Sequence, residues 1–326
     1  MKKVLIAILL LGLLPHASAD YIHWVDFRLS APVLRSALEL DMASQGGEQP
    51  LDWIDILALA AAWRGGTGVT VADTQRAAQA LRGDTPPERL PGMAGRYFSY
   101  YREAYGAALG GLAGHFAIRR TDPQTGEAEW IPAYGLKAFS PIAAGYPWSH
   151  YPDFGAQRSY GYARPHLGND ILGALGTPIC AVEGGTVEAL GWNRYGGWRI
   201  GIRSDDRKRY YYYAHLRKDT PYAEGLAVGQ RVQAGDVIGF MGRTGYSAQE
   251  NVNNIETVHL HFGLQLIFDE SQKECDSEIW IDVYPIVELL ASHCSSVARD
   301  PQTGRWERLY PYCDLDAEPL RSAAAR

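Results

Sequence analysis

Two histidines one residue apart, His259 and His261, interrupt an apolar run made of Val258, Leu260, Phe262, Leu264 and Leu266. In a β-strand alternate side chains point to opposite faces, so the apolar set lines one face and both imidazoles line the other. Such a strand needs a core on one side. On the other side it needs something that satisfies two neighbouring imidazoles, because burying them without partners is costly. A metal ion does this, and so does one metal ligand beside one proton-handling group. An edge strand with two exposed neutral histidines is the alternative.

A second cluster lies upstream in His166-Leu167-Gly168-Asn169-Asp170. It offers an imidazole and a carboxylate, both ordinary zinc ligands, around a glycine that lets the backbone turn both toward one point. His166, Asp170 and His261 together make three protein ligands with a fourth position open to water, the pattern of a catalytic rather than a closed structural zinc site. His215 ends the run Tyr210-Tyr211-Tyr212-Tyr213-Ala214-His215. Strand alternation pairs it with Tyr211 and Tyr213, either as a tyrosine-rich groove wall or as part of a core.

The chain has 326 residues and a formal net charge of -6, which gives no support to nucleic-acid binding. The start Met1-Lys2-Lys3, the apolar run Val4 to Leu14 and the exit Pro15-His16-Ala17-Ser18-Ala19 read as a secretory signal peptide over 1–19. The run is short for a membrane span. Four cysteines, Cys180, Cys275, Cys294 and Cys313, allow three pairings, and Cys294 with Cys313 is the preferred one.

Residues 20–130 read as a helical N-terminal domain. Its helices are expected near Leu29–Met42, Trp53–Trp63, Val71–Leu81 and Tyr101–Phe116, with a linker over Thr121–Glu129. This domain carries no catalytic cluster and is expected to support, position or bind a protein partner. Over 131–297 the character changes to short β-formers between glycines, including Pro178–Val182, Thr186–Leu190, Trp198–Ile202, Arg209–His215 and His259–Phe268, with a closing helix over Asp282–Ala291. The charged, proline-containing residues 298–326 read as a loosely packed tail. The fold class is therefore α+β: helices first, then a β-rich antiparallel unit.

Several spaced motifs stand in order here: His166 to Asp170, Gly176-Thr177-Pro178, Gly185-Thr186-Val187, Tyr213-Ala214-His215-Leu216, Gly229 to Gly239, Gly242-Arg243-Thr244-Gly245 and His259-Leu260-His261-Phe262. In this order they resemble the LytM/lysostaphin-type zinc peptidases, the M23 or duplicated-hybrid-motif family. The resemblance covers about a third of the chain and leaves the helical part unassigned. It implies a barrel-sandwich hybrid fold and one Zn2+ held by His166, Asp170 and His261. It also implies catalytic histidines at His215 and His259, and hydrolysis of peptidoglycan stem or cross-bridge peptides outside the cytoplasm. A non-catalytic wall-binding or scaffold/activator protein of the same fold, and a peptidase acting on proteins, are the competing readings. Two departures stand out: Gly263 where the family often has Glu, and an insert from Tyr246 to Val258 beside the groove.

Overall fold

The computed structural model describes residues 21–122, 124–273 and 277–317. The signal segment 1–19, Cys275 and the end of the tail lie outside the described residues. No described helix is long and apolar enough to cross a membrane.

Four helices come first. α1 (Ala31–Ser44) starts on a proline and buries Val33, Leu34, Ala37, Leu38 and Asp41 along one stripe. α2 (Trp53–Arg64) starts where the Asp52 carboxylate accepts from the Ile54 N–H and stops at Gly65, whose φ of 64° is the left-handed region that glycine adopts without strain. Its residues Ile56 to Ala62 are all buried, because α1, α3 and α4 pack around it. α3 (Val71–Leu81) carries a reciprocal Thr70/Asp73 capping box. α4 runs over Met93–Leu109.

The last helix differs from the expected Tyr101–Phe116. It begins earlier and ends at Leu109, followed by Gly110-Gly111. A side chain at Gly111 would collide with Glu183 and Arg209, so the backbone passes there only as glycine. Residues 113–136 then form a hairpin, Ala113–Thr121 against Ala128–Leu136, and not a helix end and a linker. The described part of the tail, to Ala317, is not loose: Tyr312–Asp314 pairs with the first hairpin strand, Phe116 opposite Asp314. Lys137 fastens this sheet, reaching Asp314 at 2.9 Å and Asp316 at 3.1 Å. Cys294 and Cys313 are both free thiols, against the preferred pairing; they donate to the nearby carbonyls of Ala291 and Asp314.

The β-rich unit is an antiparallel sheet of eight strands. Its order is Arg231–Val232, Gly185–Asn193, Gly197–Ser204, Arg209–Ala214, His259–Leu266, Asn169–Gly173 and Trp148–His150, with Ile279–Trp280 pairing the end of His259–Leu266. Leu260, Phe262, Leu264, Leu266, Tyr211 and Tyr213 are all buried at 1% exposure or less. α5 (Tyr284–Leu290) follows the sheet, within the span expected for a helix.

One buried side chain ties helices to sheet. The Arg209 guanidinium grips Glu183 at 2.7 and 3.1 Å and Asp206 at 2.8 Å, and donates to the carbonyls of Gly106 (3.2 Å) and Ala107 (2.7 Å) in the last turn of α4. Tyr211 completes the network by donating to Glu183 at 2.6 Å. Removing one partner of such a buried pair strands the other charge. Arg209→Ala is expected to lose about 3–5 kcal/mol of unfolding free energy in urea titration.

The tail tie is pH-dependent. Burial alone would raise the Asp316 carboxyl, but the His115 N–H and the Lys137 ammonium outweigh it and hold the group below its ordinary value. A carboxyl depressed in the folded state stabilises above its unfolded pKa of about 3.9 and loses that contribution as pH falls through the folded value. Wild type should therefore exceed Asp316→Asn in melting temperature near neutrality, and the gap should close in strong acid.

Candidate metal centre

Strand register builds the site. In the sheet His261 lies directly between Asp170 on one neighbour and Ala214 on the other, and His259 lies opposite Leu172. Pleating puts His259, His261, Asp170, Tyr212 and Ala214 on one face, and the apolar set on the other. His166 enters from the residues just before Asn169–Gly173.

The three expected ligands converge. His166 Nε2 lies 2.8 Å from His261 Nδ1 and 2.9 Å from Asp170 Oδ1, and His261 Nδ1 lies 3.1 Å from Asp170 Oδ1. They form a group able to hold a metal ion. Tautomers follow from the outer partners. His166 Nδ1 faces the Asp153 carbonyl and carboxylate, both at 3.1 Å, so Nδ1 carries a proton and Nε2 is the atom left to face the centre. Three ligand atoms crowded at one point need positive charge among them: protons in the ion-free cluster, a metal ion in a loaded one. Two imidazoles and a carboxylate are the donor set zinc favours.

The electrostatics point the same way. Burial would raise Asp170, but hydrogen bonds from His166 and His261 hold it far below the usual carboxylate range. Burial would lower His166, but Asp153 and Asp170 outweigh it and raise the imidazole to about 9. The two carboxylates thus favour a positive charge on His166, beside the point where the three ligand atoms meet.

His215 and His259 stand beside this group, ring centroids 4.7 Å apart, with His215 5.9 Å from His261. His215 does not follow the alternation expected of it. Its φ is 62°, so the chain kinks as the strand ends and swings the ring to the His261 face. Tyr211 and Tyr213 stay in the core, stacked and tilted against Phe262, and do not form a groove wall. Tyr212 is the tyrosine of that strand that lines the cavity. His215 Nδ1 donates to the Thr244 carbonyl (2.9 Å) and His259 Nδ1 to the Thr257 carbonyl (2.9 Å), leaving both Nε2 atoms as acceptors. Burial, reinforced by His259 and His261, pushes His215 well below its ordinary value, so its ring is neutral.

Two residues here carried no sequence signal. Asp153 orients His166 and is itself held by Asn169 Nδ2 at 3.0 Å. Arg158 bridges Asp153 (3.0 Å) and Asp170 (2.9 Å). The cavity is about 160 Å³ and is walled by the hairpin residues Arg158 and Arg164, by Tyr195 and Gly196 of the Asn193–Trp198 loop, and by Tyr246 from the insert. Gly263 also has a local reason: a side chain there would meet Trp280 at 2.9 Å and the Leu167 carbonyl at 3.1 Å.

Residues 164–274 match the model of peptidase family M23. The chain is 40% identical over 130 residues to the L-Ala--D-Glu endopeptidase of Bacillus subtilis (strain 168), covering 40% of this chain and 38% of that protein. It is 38% identical over 98 residues to the glycyl-glycine endopeptidase ALE-1 of Staphylococcus capitis, covering 30% and 24%. It thus spans well under half the length of these curated relatives. Among solved structures, the catalytic domain of the antimicrobial peptidase lysostaphin from Staphylococcus simulans aligns at 29% identity and a TM-score of 0.32, over 44% of this chain and 92% of that one.

Gly168 packs directly under the cluster: an added Cβ would lie 2.7 Å from His261 Cε1 and Nε2. Gly168→Ala should displace that ring and weaken divalent-metal affinity by about tenfold or more, read by zinc titration against a competing chelator.

Proposed function

The chain carries a peptidase family M23 domain over residues 164–274, and from that premise we propose that it is a zinc-dependent endopeptidase that cuts amide bonds in peptidoglycan peptides. The observation that carries this reading is the convergence of His166 Nε2, Asp170 Oδ1 and His261 Nδ1, with His215 and His259 on the same side. The named activities of the relatives support the substrate class. The residues 1–19 support export to the compartment where that substrate lies. The helical unit over 20–109 is proposed as a brace and a surface for a protein partner.

His166, Asp170 and His261 are the proposed ligands of one zinc ion. When bound, such an ion polarises the scissile carbonyl and acidifies a water at the open position. The other residues prepare the site. Asp153 fixes the His166 tautomer so that Nε2 faces the centre, and Arg158 holds the far oxygen of Asp170. His215, neutral and with Nε2 free, is placed to accept the proton of the attacking water. His259 Nε2, 3.8 Å from Asp170 Oδ1, lies where a protonated ring would steady negative charge on the carbonyl oxygen and pass a proton to the leaving amine. The sheet and loops keep these groups rigid, so little reorganisation is needed on substrate binding.

The test separates metal binding from chemistry. Purified protein should carry stoichiometric zinc, lost in His261→Ala together with peptidoglycan-cleaving activity. His215→Ala should keep the zinc and lose about 10²–10⁴-fold in turnover, read by mass analysis of released peptides. Zinc-free wild type prepared without chelators, or full activity in His215→Ala, would sink the respective assignment.

A further inference from the structure

The cavity holds two guanidinium groups, and they are not equivalent. Arg158 is committed, sharing Nη2 between Asp153 and Asp170. Arg164 makes one hydrogen bond, from Nη1 to the Tyr160 carbonyl at 2.7 Å. Among the described residues no carboxylate pairs with it. An arginine has five N–H donors, so four remain unused. The side chain is nevertheless held in place. Its guanidinium carbon lies 4.6 Å from the Tyr195 ring centre, 5.6 Å from that of Tyr162 and 5.7 Å from that of Tyr246.

A guanidinium fixed by aromatic faces keeps its planar fork presented and loses little rotamer freedom on binding, which favours bidentate recognition of a carboxylate. The charge balance agrees. Asp153 and Asp170 are offset by Arg158 and Arg164, so a divalent cation at the centre leaves the cavity net positive. Resting on the peptidase reading above, we propose that Arg164 is the specificity residue of the cavity and that the substrates are peptides bearing a free carboxylate beside the scissile amide. Neutral peptides such as glycine runs leave this fork unpaired and are disfavoured.

The experiment uses two synthetic peptides identical except that an alanine is followed by glutamate in one and by glutamine in the other. Binding is measured calorimetrically to the zinc-loaded protein carrying His215→Ala, so that the peptides stay intact. The glutamate peptide should bind at least about tenfold more tightly, as expected for charge-assisted hydrogen bonds. Adding Arg164→Gln should abolish the difference, and Arg164→Lys should restore part of it. Equal affinities, no measurable binding of either peptide, or a preference that survives Arg164→Gln would overturn the proposal. If Arg164 only braced its hairpin, Arg164→Gln would lower the melting temperature and leave the preference intact. Cleavage assays with His215 restored keep the two claims apart. Discriminating binding without cleavage removes the peptidase reading and leaves the Arg164 assignment standing. Cleavage of both peptides with equal kcat/KM does the reverse.

Discussion

The pairing of His259–Leu266 between Asn169–Gly173 and Arg209–Ala214 is the constraint on which the site depends. Register sets His261 opposite both Asp170 and Ala214. A slip of one residue would turn His261 into the apolar core and Phe262 onto the site face, reversing every side chain of the strand. Leu260, Phe262, Leu264 and Leu266 are fully or almost fully buried, each worth about 1.5–3 kcal/mol of apolar burial, so the register is strongly specified. The same alternation that stabilises the sheet therefore positions two of the proposed ligands, and no separate device is needed to bring His261 to Asp170.

What the sheet cannot supply is the orientation of rings and carboxylates, and that comes from a layer of polar partners. Asn169, on the opposite face from Asp170, holds Asp153; Asp153 holds His166; Arg158 ties Asp153 to Asp170. This closed chain of hydrogen bonds fixes the proton on His166 Nδ1 and keeps Nε2 aimed at the centre. Thr244 and Thr257 do the same for His215 and His259 through backbone carbonyls. Each functional imidazole except His261 thus has a defined tautomer from a partner that bears no ligand role of its own.

Much of this was legible in the sequence where the signal was local. The His259/His261 alternation and the His166/Asp170 spacing depend on residues a few positions apart, and the structure places all five expected site residues together. The signal failed where geometry came from afar or from one dihedral. Asp153 lies 13 residues before His166 and means nothing until the chain folds back. His215 was expected to share a face with Tyr211 and Tyr213, but a single left-handed φ of 62° reverses it. The strand Ala113–Thr121 is largely exposed, and one of its partners is Tyr312–Asp314, nearly 200 residues away, so the helical pattern before it masks its start. Cys294 and Cys313 are close in sequence, yet proximity along a chain does not place two sulfurs in bonding geometry.

The helices and the cavity occupy opposite sides of this arrangement, with consequences for how each can act. Arg209 shares its strand face with Tyr211 and Tyr213, whereas Tyr212 and Ala214 face the candidate metal centre. The contact of Arg209 with the end of α4 therefore braces the sheet from behind. Every residue lining the cavity comes from 158–261, and none from α1 to α4. A partner bound to the helices could reach the centre from behind, by shifting Arg209 and the strand that carries Tyr212 and leads to His215. Access from the front is governed instead by the short hairpin pairing Gln157–Arg158 with Arg164–Pro165. Between its two strands Tyr160 stacks on Tyr246 of the insert, ring centres 4.5 Å apart. The helical side thus braces the sheet from behind through Arg209, and the proposed selection belongs to the open face, where Arg164 and not the committed Arg158 would meet what enters.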